Sequence, residues 1–275
     1  MKIIEVSSTS KTGREETNED TWCFTEHYVC VIDGATDLSG RRFQGDTPGR
    51  TIAQWIKQAV TELRPQADIE EIMEQIHAAL QEHYKKQGLY DSLLDSESGR
   101  PSASMALYSR YHHCVWLIGD CQCMVDGMLH ENGKEADHIL AAARALFLES
   151  ELASGKTVEQ LAEHDTGFAA IVPFLRQHFA LRNQSADYQY AYGEITGFGF
   201  IRSLSKTVLL PPSASSLVLA SDGYPELKSE LAAAEQVLQE LLTHDPLCMG
   251  ERKQVKGRMK GNVSYDDRTY LRVGF

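Results

Sequence analysis

A chain of 275 residues, 42 % hydrophobic and 24 % charged, can bury a large core as one domain or two small ones, and its composition excludes a disordered protein. The formal charge of −12 lacks the basic footprint of a general nucleic-acid binder, so an anionic substrate must be drawn in by a local basic loop or by bound cations. The opening MKIIEVSSTS is too short an apolar run for a signal peptide, no later run has the length of a membrane span, and Cys23, Cys30, Cys114, Cys121, Cys123 and Cys248 show no zinc spacing, so reduced thiols in a cytoplasmic protein are expected.

Strand-like runs come in groups. The first holds IIEVSS (3–8), DTWCFT (20–25) and YVCVID (28–33). Thr47-Pro48 then reads as a helix start, with Ile52, Ile56, Ala59, Val60 and Leu63 on one face and a stop at Arg64-Pro65. Asp68 and Glu71 stand in capping-box spacing at the head of a second helix, which carries Ile69, Ile72, Met73, Ile76 and Leu80. The second strand group is SMALYS (104–109), CVWLIG (114–119) and CQCMVD (121–126), with His112-His113 in a hairpin turn. Apolar period predicts helices over about 133–150 and 155–180. YQYAYGEI (188–195), KTVLL (206–210) and SLVLAS (216–221) form the third strand group; a helix follows Ser229, and TYLRV (269–273) closes the chain. Several strands are continuously apolar, as for strands covered on both faces. Strand groups separated by helix pairs favour antiparallel sheets with helices outside. The expectation is an α+β layered sandwich in one domain over 1–275, with about 131–185 an elaboration that shapes substrate access.

Three apolar strands end in aspartate beside glycine: YVCVIDG at Asp33, CVWLIGD at Asp120 and SLVLASDG at Asp222. Singly, such an Asp-Gly is more often a turn than a ligand, and Asp126-Gly127 reads as a hairpin turn. Asp33 and Asp222 differ because loop and helix material follows them. Asn18-Glu19-Asp20 precedes one strand and Asp266-Asp267 the last. Clustered carboxylates without a His or Cys pattern suit hard cations, magnesium or manganese.

The ordered set NED (18–20), VIDG (31–34), IGD (118–120), LASDG (219–223) and DDRT (266–269) resembles the metal-dependent protein phosphatases of type 2C, over nearly the whole chain. The resemblance implies a four-layer α-β-β-α sandwich of two antiparallel sheets flanked by helices. It implies two Mg²⁺ or Mn²⁺ ions, with a weaker third. Asp33 would bridge the pair with the Gly34 carbonyl on one ion, Asp222 and Asp266 would hold the other, and Asp120 would help hold the third. Glu19 and Asp20 would act on metal-bound waters. A metal-bridging hydroxide would attack phosphoserine or phosphothreonine with no covalent enzyme intermediate.

The chain departs from the family pattern in three places. Glu15 stands where the family has its phosphate-clamping arginine, leaving adjacent Arg14, or Arg41, Arg42 and Arg50 of the loop after Asp33, as phosphate-binding candidates. Ala35 replaces a histidine common in eukaryotic relatives, and Cys121-Gln122 replaces a serine-arginine pair. The basic stretch 251–261 reads first as a solvated face and second as a guide for anions. The expected protein is a monomeric phosphatase of phosphoproteins, with no nucleic-acid or membrane partner. The alternatives are a phosphatase-fold binding or sensing module without turnover, or a hydrolase of small phosphoesters.

Overall fold

A strand that is apolar at every position must be covered on both faces, and the central strands of this protein are. The computed structural model describes residues 1–275 except Ser39, Gln44 and Ala186. One antiparallel sheet has the order β2 (Thr21–Phe24), β3 (Tyr28–Gly34), β4 (Ala103–Ser109), β5 (Cys114–Ile118) and β8 (Ser205–Leu209). The other runs β1 (Lys2–Thr9), β10 (Arg268–Gly274), β9 (Ser216–Ala220), β6 (Gln122–Val125) and β7 (Met128–His130). Period-2 alternation then sorts each strand between two cores. Val29 and Val31 of β3 meet Leu217, Leu219, Leu271 and Val273 of the other sheet. Cys30 and Ile32 point the opposite way, toward the helices. Each such fully buried aliphatic side chain contributes about 1.5–3 kcal/mol.

Those helices are α1 (Pro48–Thr61) and α2 (Ile69–Lys86). Thr47 caps α1 by accepting from the Arg50 N–H at 3.3 Å, with proline at the first position, and Asp68 and Glu71 form the reciprocal capping box of α2. The short α3 (Tyr90–Leu94) follows. On the outer face of the second sheet, Ala234 of the helix Leu231–His244 packs on Val218, Ala220 and Tyr270. The layers are therefore α-β-β-α, as the resemblance implies.

Between the sheets' contributions lie α4 (Glu135–Ala153), α5 (Val158–Glu163) and α6 (Thr166–His178), making Leu231–His244 α7. The expected single helix over 155–180 is broken because Asp165 takes the N-cap of α6, its carboxylate accepting from the Phe168 N–H at 2.8 Å. The expected strand 188–195 is absent. Only isolated bridges form there, Ile195 with Ala103 and Tyr192 with Arg182. Its tyrosines imitate a strand's alternation, but β5 already pairs with β4 from Met105 onward, leaving only Ala103 to bond another segment. Asp126 and Gly127 do form the tight hairpin turn between β6 and β7, with φ of 45° and 88°. No helix among the described residues is long and apolar enough to cross a membrane, and all six cysteines are buried and free.

Candidate metal centre

β3, β5 and β9 deliver their terminal aspartates to one place. Asp33 is the penultimate residue of β3, opposite Ser104 on β4. The Ser104 hydroxyl oxygen accepts from the Asp120 N–H at 3.3 Å, which holds the turn after β5 against the same point. Asp222 follows β9. One carboxylate oxygen from each of Asp33, Asp120 and Asp222 lies within 4.8 Å of the others.

The glycines after Asp33 and Asp222 are there for close approach and not to turn the chain, since neither has a positive φ. A Cβ on Gly34 would lie 2.2 Å from the Gly49 carbonyl oxygen and 2.7 Å from that of Glu19. A Cβ on Gly223 would lie 1.9 Å from the Asp267 carbonyl oxygen. These contacts bring Glu19 and the start of α1 beside Asp33, and Asp266 beside Asp222.

The electrostatics are those of a site short of positive charge. Burial, then Asp20, Asp222, Asp120 and Asp266, push the Asp33 carboxyl well above the usual carboxylate range. Burial with Asp120 and Asp266 pushes Asp222 up to about 7. Burial with Asp267, Asp266 and Asp222 pushes Asp20 up to about 8, against a 2.7 Å hydrogen bond donated by the Ser221 hydroxyl. Two buried oxygens, Glu19 Oε1 and Asp20 Oδ1, have no hydrogen-bond partner among the described residues. Converging oxygen donors, mutual repulsion and unpartnered buried acceptors fit a hard divalent cation held by Asp33, Asp120 and Asp222.

Asp266 is in a different situation. Its carboxylate accepts from Lys256 Nζ at 2.8 Å and from Lys11 Nζ at 3.2 Å. Although burial opposes it, the two ammonium groups hold Asp266 far below the usual carboxylate range. Lys11 also reaches Glu19 and Asp267, each at 3.3 Å. Asp267 is a structural staple: it accepts from Ser10 Oγ, the Lys11 N–H and the Glu19 N–H at 3.0, 2.7 and 3.0 Å.

None of the arginine candidates lines the cleft of about 130 Å³ above the aspartates. Arg14 and Arg42 are exposed elsewhere. Arg41 bonds Asp37 and the Gly99 carbonyl, and Arg50 bonds the Glu15 and Asn18 carbonyls. The cleft's ammonium groups are Lys256 and Lys134, the latter 2.8 Å from Asp120 and 2.5 Å from Glu194. Lys256 lies in the basic stretch 251–261. Lys11 and Lys134 carried no sequence signal, since a lone lysine at no fixed spacing from an acid is indistinguishable from a surface lysine. Phe168, Leu175 and His178 of α6, with Phe179, Leu38 and Val255, form the cleft's wall.

No family model matches the sequence, and no curated protein matches it either. Solved structures do match by shape. The serine/threonine phosphatase Stp1 from Staphylococcus aureus superposes with a TM-score of 0.51 at 10 % identity, over 100 % of this chain and 96 % of that one. A bacterial serine phosphatase carrying an arginine-to-lysine substitution superposes with a TM-score of 0.50 at 9 % identity, over 99 % of this chain and 98 % of that one. At such identities the likeness is one of fold, which these chains share over their whole lengths.

Proposed function

We propose that this chain, built on the fold of bacterial serine/threonine phosphatases, is a metal-dependent hydrolase of phosphoserine and phosphothreonine. The observation that carries the reading is the convergence of Asp33, Asp120 and Asp222 within 4.8 Å at a cleft, where Lys134 pairs with Asp120 while Asp33 and Asp222 have no ion-pair partner among the described residues. Asp33, Asp222 and Asp120 would hold the cation, with Gly34 in the cleft beside them. When bound, magnesium or manganese supplies Lewis acidity toward a phosphoryl oxygen and makes water more acidic.

The chain's own residues do the rest. Asp20 Oδ1 and Glu19 Oε1 are acceptors with no donor among the described residues, suited to orient water for attack on phosphorus. Lys256 gives N–H donors to Asp266 and Thr36, at 2.8 and 3.1 Å, and an ammonium has a third for a phosphate oxygen entering the cleft. The apolar wall from α6 keeps bulk water from one side of the cleft.

A second reading, a binding module that keeps the fold without turnover, is favoured by one observation: Asp266 is already paired with two lysines. Hydrolysis of an aryl phosphate and of a phosphothreonine peptide, with manganese and with chelator, separates the readings. The proposed enzyme hydrolyses both in a manganese-dependent manner and Asp222→Asn hydrolyses neither. Activity on the aryl phosphate alone would indicate a small-phosphoester hydrolase. No activity above Asp222→Asn on either substrate would favour the binding module.

A further inference from the structure

We infer that the chain takes a single divalent cation, at Asp33, Asp120 and Asp222, and that the ammonium groups of Lys11 and Lys256 stand in for a second cation at Asp266. The inference rests on the proposed metal site and departs from the ion pair that the resemblance implies.

The carboxylates of the centre divide into two sets. Glu19, Asp266 and Asp267 share two ammonium groups, with Lys11 contacting all three and Lys256 contacting Asp266. Thr36 closes this set: its hydroxyl donates to Glu19 Oε2 at 3.0 Å, and it accepts from Lys256 at 3.1 Å. Asp33, Asp120 and Asp222 form the other set: among the described residues Asp33 and Asp222 have no ion-pair partner, and Asp120 has Lys134 at 2.8 Å, an ammonium that Glu194 also holds at 2.5 Å. A cation entering the first set must displace two ammonium groups already at contact distance and leave them beside a dication. A cation entering the second set displaces no ammonium from Asp33 or Asp222 and relieves the repulsion between them, while Lys134 keeps its contact with Glu194. The two positions therefore differ in affinity for the same ion.

The lysines are not incidental surface groups that happen to reach inward. Lys11 is anchored by its own N–H to Asp267 at 2.7 Å, in the segment that also anchors Glu19 to Asp267. Lys256 stands next to Gly257, whose N–H approaches the buried Asp165 at 3.4 Å. Both backbones are tied down close to their ammonium groups, so ordering these side chains costs less than it would on a free loop. An ammonium and a magnesium or manganese ion both neutralise carboxylate charge, but only the ion is removed by chelation.

The test is the number of manganese ions bound, read by isothermal titration and by the loss of the free-ion electron paramagnetic resonance signal. The chelator-stripped wild-type protein is expected to bind one equivalent, Asp266→Asn still one, and Asp222→Asn none. The double variant Lys11→Met with Lys256→Met is expected to gain a second equivalent. Two equivalents in the wild type, one of them lost in Asp266→Asn, would overturn the inference and leave the proposed function standing. No manganese bound by folded wild-type protein would overturn both. If the lysine double variant does not fold by circular dichroism, the wild-type and Asp266→Asn stoichiometries decide alone.

Discussion

Arg144 and Asp165 form a buried ion pair, at 2.6 Å from Nη2 to Oδ2, that couples a helix cap to the loop carrying Lys256. Asp165 caps α6 through the Phe168 N–H, while Arg144 Nη1 donates to the Leu247 and Gln254 carbonyls at 2.8 and 3.1 Å. Arg144 is fully buried, so Asp165→Ala strands its charge where water cannot reach it. The expected cost is about 3–5 kcal/mol, measured by urea unfolding. The same variant should raise the Michaelis constant for an aryl phosphate, because both α6 and the segment around Lys256 lose their anchor. A loss under about 1 kcal/mol would show that the pair is not the anchor described.

Metal-free protein should lose stability as pH rises from about 4 to 8. Asp20 and Asp222, ordinarily near 3.8, are pushed up to about 8 and about 7 in the folded chain. Over that window the folded state keeps protons that the unfolded state has released, so stability falls with pH. Asp266 acts in the opposite sense, but only below its unfolded value near 3.8, where protonation would remove its lysine contacts. Melting temperature in chelator, measured from about pH 5 to 8, should therefore decline, and manganese should flatten the decline. A melting temperature that climbs with pH in chelator would contradict the repulsion described at the centre.

The strand ends were legible in sequence because burial on both faces leaves a continuous apolar run, and the aspartate that ends it marks the rim of the core. That is how YVCVIDG and SLVLASDG located Asp33 and Asp222. Helix caps at Thr47 and Asp68 were legible because capping chemistry acts over three or four residues. What could not be read depends on contacts across long stretches of chain. Lys11 meets Asp266 across more than 250 residues, and Lys134 meets Glu194 across 60. Arginine was the residue sought for phosphate, and lysine took the place beside the site. The 188–195 segment failed for a related reason, since whether an alternating pattern becomes a strand depends on a free neighbour in the sheet.

Lys256, and not the exposed arginines, should govern phosphate binding. Lys256→Ala is expected to lower kcat/KM for an aryl phosphate by about tenfold to a hundredfold, the scale of a lost hydrogen bond to a charged group at about 1.5–3 kcal/mol. Arg14→Ala and Arg42→Ala, both outside the cleft, should stay within about twofold of wild type. Lys256→Arg should recover part of the loss, because a guanidinium also donates to phosphate oxygens. If Arg14→Ala proves the most damaging of the three alanine variants, the segment before Asp20 reaches the phosphate after all.

Gly223→Ala tests whether the centre depends on backbone approach. Gly223 carries no positive φ, so alanine meets no conformational objection there, and the effect must come from contact alone. A Cβ would stand 1.9 Å from the Asp267 carbonyl oxygen and 2.7 Å from Arg268 Cβ. Neither neighbour is a flexible side-chain tip, so the ends of β9 and β10 must separate. That moves Asp222 away from Asp33, whose carboxylate oxygen lies within 4.8 Å of its own. The expected outcome is a stability loss of about 1–3 kcal/mol in chelator, with manganese affinity falling more than stability does. Gly261→Ala is the contrast: nothing lies within 4 Å of its Cβ position, but its φ of 89° is one that alanine resists. It should lose stability through the backbone while binding manganese as the wild type does. Equal manganese affinity in the two variants would mean that the spacing of β9 and β10 does not set the geometry of the aspartates.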